Sequence, residues 1–153
     1  MPNASSKSYS ALLITAFPLL GFPRSLGDDF LSRLPPKPSV CGGQLVTPCS
    51  EVPNLPDLVI RFANDQDIVL KGADYVTEMM LPWCSQPVIE CMPLVDSIPE
   101  NIPEIEFPTD LMILGSPFLK NVYAVFDWNK RRVGCEFSLL CSLVCWEFVL
   151  TLE

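Results

Sequence analysis

A chain of 153 residues is one domain's worth of sequence, and 49% hydrophobic against 18% charged residues supplies enough apolar material for a core, which excludes disorder throughout. A formal charge of −8 argues against tracking nucleic-acid phosphates, which needs clustered Lys and Arg. The absence of histidine excludes Ser-His, Cys-His and His-based zinc sites.

Residues 1–10 are small and polar, with Lys7 the only charge and Asn3-Ala4-Ser5 forming a glycosylation sequon. Residues 11–22 are an apolar run broken by Pro18 and Gly21, too short to span a bilayer. Two readings stand for residues 1–21. One is a signal-like segment with Ser25 and Gly27 near a cleavage point; the other is a buried strand pair. Over 25–34, Leu26, Phe30 and Leu34 recur at i, i+4 and i+8, which predicts a short amphipathic helix. Asp28 and Asp29 are expected in its first turns, and Pro35-Pro36 ends it.

Residues 43–49 and 55–62 read as apolar strands bounded by Gly and Pro, with a turn at Asn64-Asp65-Gln66 before a strand over 68–70. From 88 to 109 the chain is rich in Pro, Ile and Glu. The recurrence of Pro93, Pro99, Pro103 and Pro108 predicts an extended surface loop. Met112, Ile113 and Leu114 form a short apolar run stopped by Gly115, and Pro117 suits the first turn of a helix after a Ser116 cap. Residues 122–126 and 132–135 flank the turn Asp127-Trp128-Asn129-Lys130 as a hairpin. Residues 137–153 form an apolar tail whose spacing fits neither the helix nor the strand period.

Seven cysteines is an odd count, so at least one stands outside any set of intrachain bridges. Cys141 and Cys145 have three residues between them, the wrong spacing for a Cys-x-x-Cys redox or zinc site, and no second pair lies at ligand spacing. No metal and no cofactor are expected.

The stretch 110–136 closely resembles the closing segment of pepsin-like aspartic endopeptidases. That family carries Ile-Leu-Gly-Asp-x-Phe-Leu-Arg-x-x-Tyr-x-Val-Phe-Asp, a few polar residues, then Arg-Val-Gly-Phe-Ala. Here Ile113-Leu114-Gly115, Phe118-Leu119, Tyr123, Val125-Phe126-Asp127 and Arg132-Val133-Gly134 fall in register. Ser116 replaces the usual Asp, and Cys135 the usual Phe. Leu55-Pro56 with Phe62, then Tyr75-Val76, are similar to earlier landmarks of the same lobe.

The resemblance covers 22–136 and implies a mainly β fold, a single pepsin-type C-terminal lobe with two short helices. A complete enzyme of that kind has two such lobes, roughly twice this length. The resemblance also pairs Cys49 with Cys84 as the lobe's disulfide, with Cys91 the rival partner for Cys49. The tail over 137–153 has no counterpart.

The implied activity is peptide-bond hydrolysis by an aspartic-type endopeptidase. Two Asp carboxylates share a proton, one activating water and the other polarising the carbonyl. Each lobe supplies its Asp within Asp-Thr-Gly or Asp-Ser-Gly, and this chain contains neither tripeptide. Counted back from Phe22-Pro23, the motif falls on Ile14-Thr15-Ala16, with Ile14 in the acid's place and Ala16 in the glycine's. The near miss Asp96-Ser97-Ile98 reads as a loop acid. Tyr75 matches a different tyrosine from that of the flap. Asp28, Asp29, Asp57, Asp65, Asp67, Asp74, Glu104 and Glu106 read as helix-start, turn and surface charges without the pairing a dyad needs.

No catalytic residue is therefore expected, and the truncated lobe is expected to be inactive alone. The alternative is a non-catalytic protease-like binding or inhibitor protein. The expected partner is a polypeptide substrate or the missing N-terminal lobe, with no nucleic acid and no membrane span. A secreted or vacuolar/lysosomal-type compartment fits the family.

Overall fold

The computed structural model of the chain describes residues 8–35, 37–39, 45–62, 66–82, 84, 87–99, 108–130, 132–136, 144–145 and 148–150. The sequon, the turn residues Asn64 and Asp65, Glu104, Glu106 and Cys141 lie outside them.

The chain opens with strands β1 (Ser8–Leu13) and β2 (Leu20–Pro23), then helix α1 (Arg24–Arg33). Short strands β3 (Lys37–Pro38) and β4 (Leu45–Val46) precede a 3₁₀ segment, Cys49–Asn54. Strands β5 (Leu58–Phe62) and β6 (Asp67–Leu70), helix α2 (Gly72–Tyr75) and strands β7 (Val76–Leu81), β8 (Val88–Pro93) and β9 (Val95–Ile98) follow. The last part comprises β10 (Leu111–Leu114), α3 (Ser116–Leu119), β11 (Tyr123–Asp127), β12 (Arg132–Glu136), β13 (Val144–Cys145) and β14 (Phe148–Leu150). Strands dominate, as a mainly β lobe requires, and helices appear where 25–34 and Pro117 predict them. Two further short helical pieces, Cys49–Asn54 and Gly72–Tyr75, come in addition.

Seven strands form the main sheet in the order β6-β5-β14-β1-β10-β2-β9. Two of its pairings, β1 with β10 and β2 with β9, are parallel and join distant parts of the chain. β11, β12 and β13 make a separate three-stranded sheet, and β7 pairs with β8 as a six-rung hairpin. The core runs along the main sheet. Leu58, Ile60 and Phe62 alternate inward on β5, Ile68 and Leu70 do so on β6, and Met112 and Leu114 come from β10. Phe30 carries the helix into this core, edge-on to Phe22 at 6.4 Å and to Tyr75 at 5.4 Å between ring centroids.

Asp28 and Asp29 lie in the second turn of α1, not the first, because the helix begins at Arg24. They pair along the helix with Arg24 at 3.6 Å and Arg33 at 2.8 Å, and the Ser97 hydroxyl donates to Asp28 Oδ1 at 2.6 Å. Gly27 faces Ser97 so closely that a Cβ there would run into its hydroxyl and backbone. The helix therefore lies flat on β9.

The expected surface loop over 88–109 is corrected for its first part, where β8 and β9 are strands. Pro93 and Pro99 mark strand ends, where a missing N–H costs no ladder bond. Asp96 accordingly sits on an exposed strand face, not in a loop. Its Oδ1 accepts from the Ser97 N–H.

The disulfide joins Cys49 to Cys91, not to Cys84. The cause is local. Thr47 bridges to Cys91 by a backbone bond of 2.9 Å, which brings Cys49 beside the middle of β8. Cys84 lies beyond the end of β7 and is itself disulfide-bonded.

Candidate functional site

Ile14-Thr15-Ala16, the stretch that counting back from Phe22-Pro23 sets in the catalytic turn's place, lies in the connection between β1 and β2. These strands do not pair with each other; β10 is threaded between them, so residues 14–19 arch over its end. Leu13 and Leu20 both lie level with Leu114, which fixes both feet of the arch at the point where β10 stops. The Ile14 N–H donates to the Leu114 carbonyl at 3.2 Å, and the Phe17 N–H donates to the Ile14 carbonyl at 3.2 Å, closing the turn.

Gly115 leaves β10 directly beneath this arch. A Cβ at that position would overlap the carbonyl oxygens of both Phe17 and Leu19, so only glycine lets the two backbones approach. The next residue locks the crossing: the Ser116 N–H and hydroxyl both donate to the Phe17 carbonyl, at 2.8 and 2.9 Å. An ionised Asp, the usual family residue there, has no proton to give that carbonyl. The Ile-Leu-Gly run and the turn it faces are thus one unit, although about a hundred residues part them.

No carboxylate sits on the arch. Ile14 is half-buried at its foot, and Thr15 and Ala16 are exposed at its crest. Asp110 is at the other end of β10, roughly 16 Å away at 3.3 Å per strand residue. There its backbone carbonyl accepts from the Ser10 N–H and its side chain from the Ser10 hydroxyl.

Three further described acids serve the fold. Asp57 pairs with Lys71. Asp74 accepts from the Lys71 N–H at 2.8 Å at the start of α2, and its own N–H donates to the Lys71 carbonyl. Asp67 takes a two-pronged bond from Arg61, Nε to Oδ1 and Nη2 to Oδ2, both 2.7 Å. That bond, with the guanidinium's charge, outweighs partial desolvation and holds the Asp67 carboxyl below its ordinary value. Burial pushes the Tyr75 phenol well above its ordinary range, and Asp57 adds to the shift. The Tyr75 hydroxyl donates to the Pro56 carbonyl at 2.5 Å, tying α2 to the chain entering β5.

Among the described residues no group of three or more His, Cys, Asp or Glu could hold a metal ion. No described helix is long and apolar enough to cross a membrane. Large apolar side chains are exposed at several places among the described residues, Met80 and Ile89 on the β7–β8 hairpin among them. On the β11–β12 hairpin Tyr123, 66% exposed, and Val125 share one strand face, Phe126, 54% exposed, lies on the other, and Trp128, 91% exposed, stands in the turn. Sequence reasoning located the hairpin but not the exposure of these side chains, because alternation alone does not show which side lacks a cover.

A threaded strand under a turn, an Ile-Leu-Gly crossing and a mainly β core define a pepsin-type lobe. The family model for eukaryotic aspartyl proteases matches residues 2–136, and the chain belongs to that family. A vacuolar aspartic protease of Candida albicans is 29% identical over 124 residues, 81% of this chain and 26% of that protein. Aspartic protease 3 of Caenorhabditis elegans is 30% identical over 96 residues, 63% of this chain and 22% of the relative. The chain thus spans about a quarter of the curated relatives it matches.

Proposed function

We propose that this chain is a C-terminal-lobe portion of a pepsin-like aspartic endopeptidase that does not hydrolyse peptide bonds by itself. The observation that carries this reading is Ile14 at the foot of the arch, a hydrocarbon in the place of the acid. A branched alkyl group neither activates water nor polarises a carbonyl. The lobe extends upstream of residue 22, since β1 is hydrogen-bonded within the main sheet and the family match begins at residue 2.

What remains is a binding role. Tyr123 and Val125, exposed on one face of β11, suit contact with an N-terminal lobe or with an extended polypeptide. A vacuolar or secreted compartment is the corresponding location, in keeping with the Candida relative.

The test is hydrolysis of an unfolded protein by the purified chain at acidic pH. Turnover no faster than the blank is expected, and pepstatin-sensitive cleavage would overturn the reading. Stoichiometric retention of a polypeptide without cleavage distinguishes a binding or inhibitor role from an inert lobe.

A further inference from the structure

The family match stops at residue 136, yet a strand beyond it holds the main sheet together. β14 is hydrogen-bonded on both sides and antiparallel to both neighbours. Toward β1 the register is Ser8 with Val149 and Tyr9 with Phe148. Toward β5 it is Phe148 with Phe62, Val149 with Arg61 and Leu150 with Ile60. Taking β14 away divides the sheet into the pair β6-β5 and the four strands β1-β10-β2-β9, each with an unpaired edge facing the other.

Those two edges border the core. Ile60 and Phe62 are buried, and Tyr9 packs against the same cluster. An unfilled gap would leave backbone N–H and C=O groups next to apolar side chains, where they need partners. The filling strand is Phe-Val-Leu, three residues long, so few backbone bonds retain it. Short, few-bonded elements open locally well before the whole fold does.

We infer that the gap between β1 and β5 is a strand-accepting site, filled by this chain's own residues 148–150 and exchangeable for an identical extended strand supplied from outside. Recognition is by β-augmentation: main-chain bonds to both edges give affinity, and an apolar sequence gives fit.

The test uses the full chain, its Val149→Pro and Val149→Thr variants, and a fluorescein-labelled peptide of residues 144–153. Proline removes the Val149 N–H and therefore one ladder bond, whichever neighbour receives it; threonine keeps it. In V149P the amides of residues 8–9 and 60–62 are expected to exchange at least ten-fold faster, with the β7–β8 hairpin unchanged and V149T like the parent. Added peptide restores their protection and binds V149P at least ten-fold more tightly than the parent chain.

Unchanged protection in V149P, or loss that the peptide does not repair, overturns the proposal. Should V149P not fold, the parent chain decides. Saturable 1:1 peptide binding, reversed by unlabelled peptide, supports exchange, and no binding refutes it. A parent-chain dimer that V149P dissolves would overturn the intramolecular seating.

Discussion

Loss of the Cys49–Cys91 bridge is expected to lower stability by about 4 kcal/mol. The two cysteines are 42 residues apart, and closing a loop of that length removes roughly 13 cal/mol/K from the unfolded chain by the loop-entropy relation. That is a large part of the about 5–15 kcal/mol by which such domains are stable. Cys49 is exposed, so Cys49→Ser removes the bridge without opening the core, whereas Cys91 is buried and Cys91→Ala adds a packing loss. At about 2–4 °C per kcal/mol for a chain of this size, C49S should melt about 8–16 °C lower by circular dichroism, and C91A lower still. Non-reducing peptide mapping of the parent chain should link Cys49 to Cys91. A fall of less than about 3 °C in C49S, or a mapped Cys49–Cys84 bond, refutes the reasoning.

Other substitutions probe the arch and the core. Gly115→Ala drives a methyl group into two backbone carbonyls that cannot swing aside, so a loss of about 3 kcal/mol or more is expected in urea titration. Phe30→Ala empties the site between Phe22 and Tyr75 and should cost about 3–5 kcal/mol, read the same way. Asp67 has its carboxyl held below the ordinary value of 3.8, so it stabilises the folded state above that pH and loses its contribution as pH falls through the lowered value. The Arg61→Ala variant should therefore differ from the parent at pH 5 by no more than about 1 kcal/mol, because the pair is partly exposed, and converge with it as pH falls through the lowered value.

Much of the lobe was legible because its signals are local. Leu26, Phe30 and Leu34 at four-residue spacing marked α1, and the β-branched and aromatic run around Asp127-Trp128-Asn129-Lys130 marked the β11–β12 hairpin. The misreadings arose where partners decided the outcome. The prolines between 88 and 109 read as loop, yet Val88–Pro93 is a strand because β7 offers it six pairing positions. Cys49 found Cys91 through the Thr47 bridge, a long-range backbone contact that cysteine spacing does not encode. The candidate site was half visible. Counting back put Ile14-Thr15-Ala16 in the catalytic turn's place, but nothing local announced that Gly115 and Ser116 lie directly beneath it.

The placement of β1 also sets a timetable for synthesis. Ser10 aligns with Leu111, and Tyr9 with Phe148, so both flanks of the first strand are supplied by residues translated long afterwards. At about 5–20 residues per second, a nascent β1 waits roughly 5–20 s for its first companion and longer for its second. Throughout that interval an adhesive ribbon stands bare at the ribosome exit, available to any chaperone or stray strand that meets it.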